Sequence, residues 1–398
     1  MRIPDDVRED IPLTKELIYL DSAATSLTPR PVVEAMDDYY YNYRANVHRG
    51  LHRLSQKATI AYEQAHEKVA ALINAKSNEV FFTKNATEAL NQVASCVPHE
   101  GDIVVTTELE HHSNFIPWLR LRKKCEVRVV RITGEGALDM GDFMDKIAGA
   151  RIVAVTHTSN ALGTITHLNE IKKIAREEGA LLCVDAAQAV GHTKVDVKKL
   201  GADFLAFSAH KGPMGPTGIG VLYAKEEMFD LLPPMIVGGG MVEDVTLERW
   251  KEISPPERYE AGTPHIAGAI GLGAAVDYIQ TLGIENIHSH EEKLTSHTLK
   301  RFGEIAGLTV YGPPQNRAAV ISFNMEGLGS HDVAIILDER GICIRSGTHC
   351  AIPPLHALGI EETARASYHC YNTIEEIDRM VDVLAEVRKS VGGMGIIR

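Results

Sequence analysis

Seven short runs rich in β-branched and other apolar residues follow one another through the first part of the chain: EVFFT (79–83), DIVVTT (102–107), EVRVVRI (126–132), RIVAVTHT (151–158), LLCVDAA (181–187), ADFLAFSA (202–209) and GIGVLYA (218–224). Strands that are apolar on both faces must be covered on both faces. The pattern therefore predicts an α/β fold with a mostly parallel seven-stranded sheet between helices. HLNEIKKIAREEGA is one such cover, with Leu168, Ile171, Ile174 and Ala175 at helical spacing and Gly179 able to end the helix. The rhythm stops near residue 225. A Pro/Gly-rich stretch, LLPPMIVGGGMVEDV, leads into the helical IAGAIGLGAAVDYIQTLG (266–283). From 284 onward helices flank short strands such as AAVISFNM (318–325), the pattern of a smaller α+β domain. The expected division is a large domain over 19–283, with 1–18 and 284–398 forming the small one.

Several function classes are excluded at once. A formal net charge of −12 argues against a phosphate-backbone footprint, so no nucleic-acid partner is expected. No apolar run reaches the roughly 18 residues of a membrane span. The opening MRIPDDVREDIPLTKELIYLD lacks the apolar core of a signal peptide. Six cysteines, at 96, 125, 183, 343, 350 and 370, include no CxxC pair, which predicts neither a disulfide framework nor a zinc ribbon. The expectation is a cytoplasmic protein with reduced thiols.

FSAHKGPMGPTGIG (207–220) contains one lysine, Lys211, between a histidine and a Gly/Pro segment directly after a strand. Most loop lysines are surface residues, but ligands of open α/β sheets gather at the carboxyl ends of strands. Asp185 ends another apolar strand, where alone it could be a helix cap. A strand-end lysine and aspartate together fit pyridoxal phosphate, which needs an amine for a Schiff base and a carboxylate at its ring nitrogen. A phosphate site is also available in TKNATEALNQVA. There Asn85, Ala86 and Thr87 open a helix after a strand, although an ordinary N-cap has the same pattern. Ser208 and His210 could add donors. GPTGIG lacks the ending of a Walker loop.

The strings YLDSAATS (19–26), ANVHRGLHRLS (45–55), EHHSN (110–114), SNALGT (159–164), VDAAQA (184–189), FSAHK (207–211), YEAGTPH (259–265) and RSGTHCAIP (345–353) run in order over nearly the whole chain. Together they resemble the cysteine desulfurases of the SufS/NifS type, in the class V branch of fold-type-I pyridoxal phosphate enzymes. The resemblance implies a role for each matched residue. Lys211 corresponds to the Schiff-base lysine, Asp185 to the partner of the pyridine nitrogen, Gln188 to the donor to the phenolic oxygen and His111 to the imidazole stacked on the ring. Ala86, Thr87, Ser208 and His210 fall on the phosphate site. Thr263 matches a residue that reaches the phosphate of a neighbouring subunit, which implies a homodimer. Asn160 is a polar contact near substrate and cofactor, and Arg365 grips the substrate carboxylate, a task suited to a guanidinium fork.

Cys350 falls on the sulfur-accepting cysteine, in a short Pro-bounded loop beside Arg345 and His349, surroundings that can favour a thiolate. The other five cysteines are expected to be small core residues. Members of this subgroup commonly carry a second histidine where Thr348 stands and a glutamine near Ile352, positions that touch the loop facing an acceptor protein. The implied activity is conversion of L-cysteine to L-alanine with a persulfide on Cys350, supplying iron–sulfur cluster assembly or thiolation. Selenocysteine lyase, or another class V aminotransferase-type reaction, is the alternative. HSHEE (288–292) is expected to be a solvated helix face and not a metal site, because His288 and His290 cannot share one side of a helix.

Overall fold

The computed structural model describes residues 3–393. Each of the seven apolar runs forms a strand: β1 (Val80–Thr83), β2 (Ile103–Thr107), β3 (Glu126–Val130), β4 (Ala150–Thr156), β5 (Leu181–Asp185), β6 (Phe204–Ser208) and β7 (Gly220–Ala224). They make one sheet in the order β1-β7-β6-β5-β4-β2-β3. The pairs β2/β3, β2/β4, β4/β5 and β5/β6 are parallel. β7 runs against both of its neighbours, β1 and β6. The strand β6 is buried at every residue, as a strand covered on both faces must be.

Separate apolar clusters fill the two sides of this sheet. Val153, Val155, Val184, Leu205 and Phe207 face one of them, and Ile152, Ala154, Cys183, Phe204 and Ala206 face the other. This alternation is the two-residue period of a strand. Helix Leu168–Glu177 buries Leu168, Ile171 and Ala175 on the sheet, and Gly179 beyond its end adopts φ +71°. Helix Ile266–Leu282 is buried along most of its length, so its uniformly apolar sequence marks a core helix. Among the described residues no single helix is long and apolar enough to cross a membrane.

Past Gly283 the chain builds a second layer around a four-stranded antiparallel sheet of Leu308–Tyr311, Val320–Met325, Thr363–Ser367 and Arg345–Gly347. Ile18–Tyr19 pairs in parallel with Ile342–Cys343 and ties the N-terminal segment to this part. Val7 and Ile11, however, pack among Met214, Tyr278, Ile287 and Tyr371, so the first helix bridges both parts.

Candidate active site

The carboxyl ends of β4 and β5 stop level at Thr156 and Asp185, β6 runs two residues past its Ala206–Asp185 pair to Ser208, and the segment after each strand turns into one cleft. The cleft holds about 250 Å³. Ala86, Thr87, His111, Asn160, Asp185, Gln188, Ser208, His210, Lys211, Arg345 and His349 line it. Most of the expected residues, scattered over 264 positions of sequence from Ala86 to His349, are thus brought together.

One end is the N-terminus of helix Ala86–Cys96. Asn85 caps it by accepting from the Glu88 N–H at 3.0 Å. The Ala86 N–H donates to Ser208 Oγ at 3.0 Å, and the Thr87 and Ser113 hydroxyls meet at 2.7 Å. Gly220, which opens β7, lies so close that a Cβ there would come within 2.5 Å of Asn85 Cα. Only glycine lets the helix terminus seat this deeply against the sheet.

Lys211 and Asp185 form the centre. Burial pushes the Asp185 carboxyl up, and the nearby Lys211 charge pulls it down. Burial likewise holds the Lys211 amine below its ordinary value, against the attraction of Asp185. One Asp185 oxygen accepts the Ala187 N–H at 3.0 Å. Gln188 is anchored through Nε2 to the Ala23 carbonyl at 2.8 Å. His111 caps the next helix, with Nδ1 accepting the Ser113 N–H at 3.0 Å. Nδ1 is therefore bare and the ring is the neutral Nε2–H tautomer. Burial, with Lys211 next, lowers its pKa to about 3. His210 is lowered to about 4 for the same two reasons.

The opposite wall comes from the second sheet. Arg345 and Arg365 stand directly across from each other on paired strands. Arg365 is fully buried; Nη1 donates to the Asn160 carbonyl at 2.9 Å and Nη2 to Asp21 Oδ1 at 2.8 Å. Its Nε has no partner, nor do Asn160 Oδ1 and His349 Nδ1. Two of these orphaned atoms, Asn160 Oδ1 and His349 Nδ1, belong to buried residues that line the cleft and mark a place built for a polar ligand, whereas Arg365 does not itself line the cleft but bonds to Asn160. Asn160 is held from its other end, where Nδ2 donates to the His349 carbonyl at 2.7 Å.

Cys350 lies in the turn Thr348–Ala351. Both His349 and Cys350 occupy the left-handed region, with φ +53° and +56°. That conformation costs about 1–3 kcal/mol for residues other than glycine. Contacts from the large part impose it: His112 N donates to the Cys350 carbonyl at 2.8 Å, and Ile352 N to His112 Nε2 at 3.2 Å. Arg345 Nη2 lies 3.7 Å from Cys350 Sγ. Pro353 and Pro354 open the short helix that bounds the loop. Ile352 is exposed beside it.

A phosphorylated aldehyde with a basic ring nitrogen matches this donor set: an amine, a buried carboxyl, a helix N-terminus with hydroxyls, and unpartnered buried polar atoms. Pyridoxal phosphate has that chemistry. Thr263 is not in this cleft; it lines another, of about 280 Å³, with Thr83, Lys84 and His265. Of the five cysteines expected in the core, Cys125, Cys183 and Cys370 are buried, but Cys96 and Cys343 are partly exposed. Cys96 sits at a helix end and Cys343 in a two-residue strand, too near the surface for full cover. The HSHEE helix face is also not uniformly solvated. His288 meets Glu292 in the open, whereas Glu291 is 4% exposed and turned toward His192 and His369. Sequence reasoning missed Glu110 too. Its buried carboxyl accepts from Thr107 Oγ1 (2.6 Å), Asn114 Nδ2 (2.6 Å) and the Thr156 N–H (3.0 Å), locking the His111 turn to the end of β4.

The aminotransferase class-V family model matches residues 18–380. A probable cysteine desulfurase of Pyrococcus abyssi is 55% identical, covering 98% of this chain and 99% of that one. The apo structure of a cysteine desulfurase from Thermococcus onnurineus superposes with a TM-score of 0.96 at 54% identity, over 98% of this chain and 99% of that one. The S-sulfonic acid form of the Escherichia coli cysteine desulfurase CsdA superposes at 0.91 and 34%, with the same coverage.

Proposed function

The chain belongs to the aminotransferase class-V family, and on that premise we propose that it is a pyridoxal phosphate-dependent cysteine desulfurase whose acceptor is Cys350. The observation that carries this reading is the placement of a cysteine, beside Arg345, on the turn that forms one wall of the lysine cleft. An aminotransferase needs no thiol there.

Lys211 would hold the cofactor covalently, Asp185 its ring nitrogen, Gln188 and Asn160 its phenolic oxygen. Ala86, Thr87, Ser208 and His210 would hold its phosphate, and the His111 ring would lie against it. When bound, pyridoxal phosphate supplies the electron sink that makes the Cα–H and Cβ–S bonds of an amino acid breakable. Arg365 takes the substrate carboxylate. Its Nη atoms are fixed by Asn160 and Asp21, which leaves Nε free to donate. The depressed Lys211 amine is suited to take the Cα proton and return one, as general base and then acid. Cys350, as the thiolate, attacks the substrate sulfur. An S–S bond forms, the Cβ–S bond breaks, its electron pair stays on carbon and is protonated, and alanine leaves with a persulfide on Cys350. Arg345 supports negative charge on the attacking sulfur.

Two parts, 19–283 and 1–18 with 284–398, would form the protomer, and the cleft lies where they meet. Homodimerisation is supported by Thr263, which sits outside this protomer's lysine cleft where it could serve a neighbour's, and by exposed Leu51, Tyr41, Leu247 and Trp250. Six unpaired cysteines suit a reducing cytoplasm. Delivery to an acceptor protein for iron–sulfur assembly or thiolation fits a sulfur held on a short, pinned loop. The test is purified protein with L-cysteine and a reductant. Alanine and sulfide released in equal amounts support the reading, and pyruvate with ammonia, or amino transfer to a keto acid, overturns it.

A further inference from the structure

A second cluster of titratable side chains lies behind Lys211, outside the cleft. Glu291, on helix Ile284–Phe302, sends Oε1 to 2.9 Å from His192 Nδ1 and 3.3 Å from His369 Nδ1. The two imidazole rings lie 4.6 Å apart. Glu291 is 4%, His369 0% and the His192 side chain 12% exposed. His369 Nε2 is 2.9 Å from the carbonyl of Gly212, the residue after Lys211. A carbonyl only accepts, so Nε2 carries the proton. His369 Nδ1 is then bare, and it accepts the Cys370 N–H at 2.7 Å.

The backbone is pressed to the same spot. A Cβ on Gly191 would lie 2.1 Å from the Gly212 carbonyl carbon, and one on Gly212 would lie 2.2 Å from the Val190 carbonyl oxygen. The His192 segment and the Lys211 turn are therefore in direct main-chain contact, with the His–Glu–His cluster closing over them. Three donors within 4.8 Å of one another could in principle hold a cation. Both imidazoles instead converge on one carboxyl oxygen; burial keeps the Glu291 carboxyl protonated, so that oxygen can accept the His192 Nδ1–H and donate its own proton to the bare His369 Nδ1, which is the geometry of a shared-proton network.

We propose that Glu291 and His369 are positioning residues for Lys211: Glu291 orients His369, and the His369 Nε2–H holds the Gly212 carbonyl and so fixes the turn that carries the amine. This rests on the reading of Lys211 as the cofactor-binding lysine. The coupling has an electrostatic side as well. Burial holds the His192 and His369 pKa values down and Glu291 up, so the cluster is uncharged around neutrality, and Lys211 is among the charges that lower His192. The other titratable groups facing the cluster are His288 and His290, from the helix that carries Glu291, and Cys370 and Tyr371, which follow His369 in the chain.

The test compares wild type, His369→Phe and Glu291→Gln. Phenylalanine keeps a ring beside Tyr371 and loses the donor, and glutamine keeps the shape and can still bridge. In the cofactor-free protein, labelling of Lys211 by a neutral amine-reactive reagent is followed against pH by peptide mass spectrometry. In the loaded enzyme, kcat and KM for L-cysteine are measured. For His369→Phe the labelling midpoint should move by about half a pH unit or more, and kcat should fall about tenfold with KM within about twofold. Glu291→Gln should show a smaller shift in the same sense. Should His369→Phe not fold, the Glu291→Gln midpoint decides. Unchanged midpoints and kcat with only a lower melting temperature, a rise in KM at constant kcat, or one equivalent of zinc in the purified protein would each overturn the proposal. Borohydride reduction of the loaded enzyme separates the two levels. Marking of another lysine sinks the functional reading, whereas marking of Lys211 with unmoved midpoints sinks only the positioning role.

Discussion

Replacing Arg365 by lysine separates substrate grip from every other function of the cleft. The guanidinium is fully buried, with one nitrogen on the Asn160 carbonyl, one on Asp21 and a third unpartnered. A lysine ammonium keeps the positive charge beside Asp21 but has no planar fork, so it cannot serve those two partners and a substrate carboxylate together. Losing the charge-assisted bonds to a carboxylate costs about 2–3 kcal/mol, or about 30- to 150-fold in kcat/KM. The carboxylate is held before and during the chemistry, so most of the loss belongs in KM. Cofactor affinity should hold, because Lys211, Asp185, Ser208 and the helix at Ala86 belong to the other part of the chain. The assay is alanine release against L-cysteine concentration, with cofactor titration in parallel. If Arg365→Lys left KM within about threefold of wild type, or lowered kcat alone, Arg365 would not be the carboxylate ligand.

Lys211→Ala should abolish turnover while the protein still binds pyridoxal phosphate non-covalently, since the phosphate and ring contacts do not use that amine; dialysis-resistant cofactor without a borohydride-stable adduct is the expected result. Thr263→Val should raise the cofactor dissociation constant yet leave turnover at saturating cofactor unchanged, and a fully active monomer would refute the cross-subunit role. Burial holds the Glu291 carboxyl above its ordinary value, at about 8. The folded state therefore keeps a proton that the unfolded chain has released, and the associated stability is present at low pH and lost as pH rises through the folded value. That slope, up to about 1.4 kcal/mol per pH unit for one full proton, should flatten in Glu291→Gln between roughly pH 5 and 8, as read by denaturant unfolding.

The seven strands were legible because apolar, β-branched runs bounded by turns leave few alternatives. The reversed direction of β7 was not, since a strand buried on both faces has the same composition whichever way it runs. Lys211 and Asp185 could be found because strand ends are where an α/β sheet presents its ligand groups. Arg365 and Asn160 needed the family resemblance: they meet across 205 residues of sequence. The burial of Glu291 was hidden for the same physical reason. Its helix is mostly polar, and the residue that buries it, His192, lies 99 positions away. The partial exposure of Cys96 and Cys343 reflects their positions at element ends, which composition does not encode.

Conversion of Cys350 to serine is the most direct test of sulfur transfer to this chain. Cofactor binding and recognition of L-cysteine should persist, because the residues proposed for them lie on β5 and β6, in the segments after β2, β4, β5 and β6, on the helix at Ala86 and on the strand of Arg365, none of which contains Cys350. Carbon–sulfur cleavage should vanish, since a hydroxyl is a far poorer nucleophile toward sulfur than a thiolate at neutral pH. The measurement is alanine release together with intact-protein mass spectrometry after a single exposure to L-cysteine. Wild type should gain the mass of one sulfur on the peptide containing Cys350, and Cys350→Ser should release no alanine above background and gain no sulfur. Alanine released by Cys350→Ser at the wild-type rate would mean that Cys350 is structural and that sulfur does not pass through its thiolate.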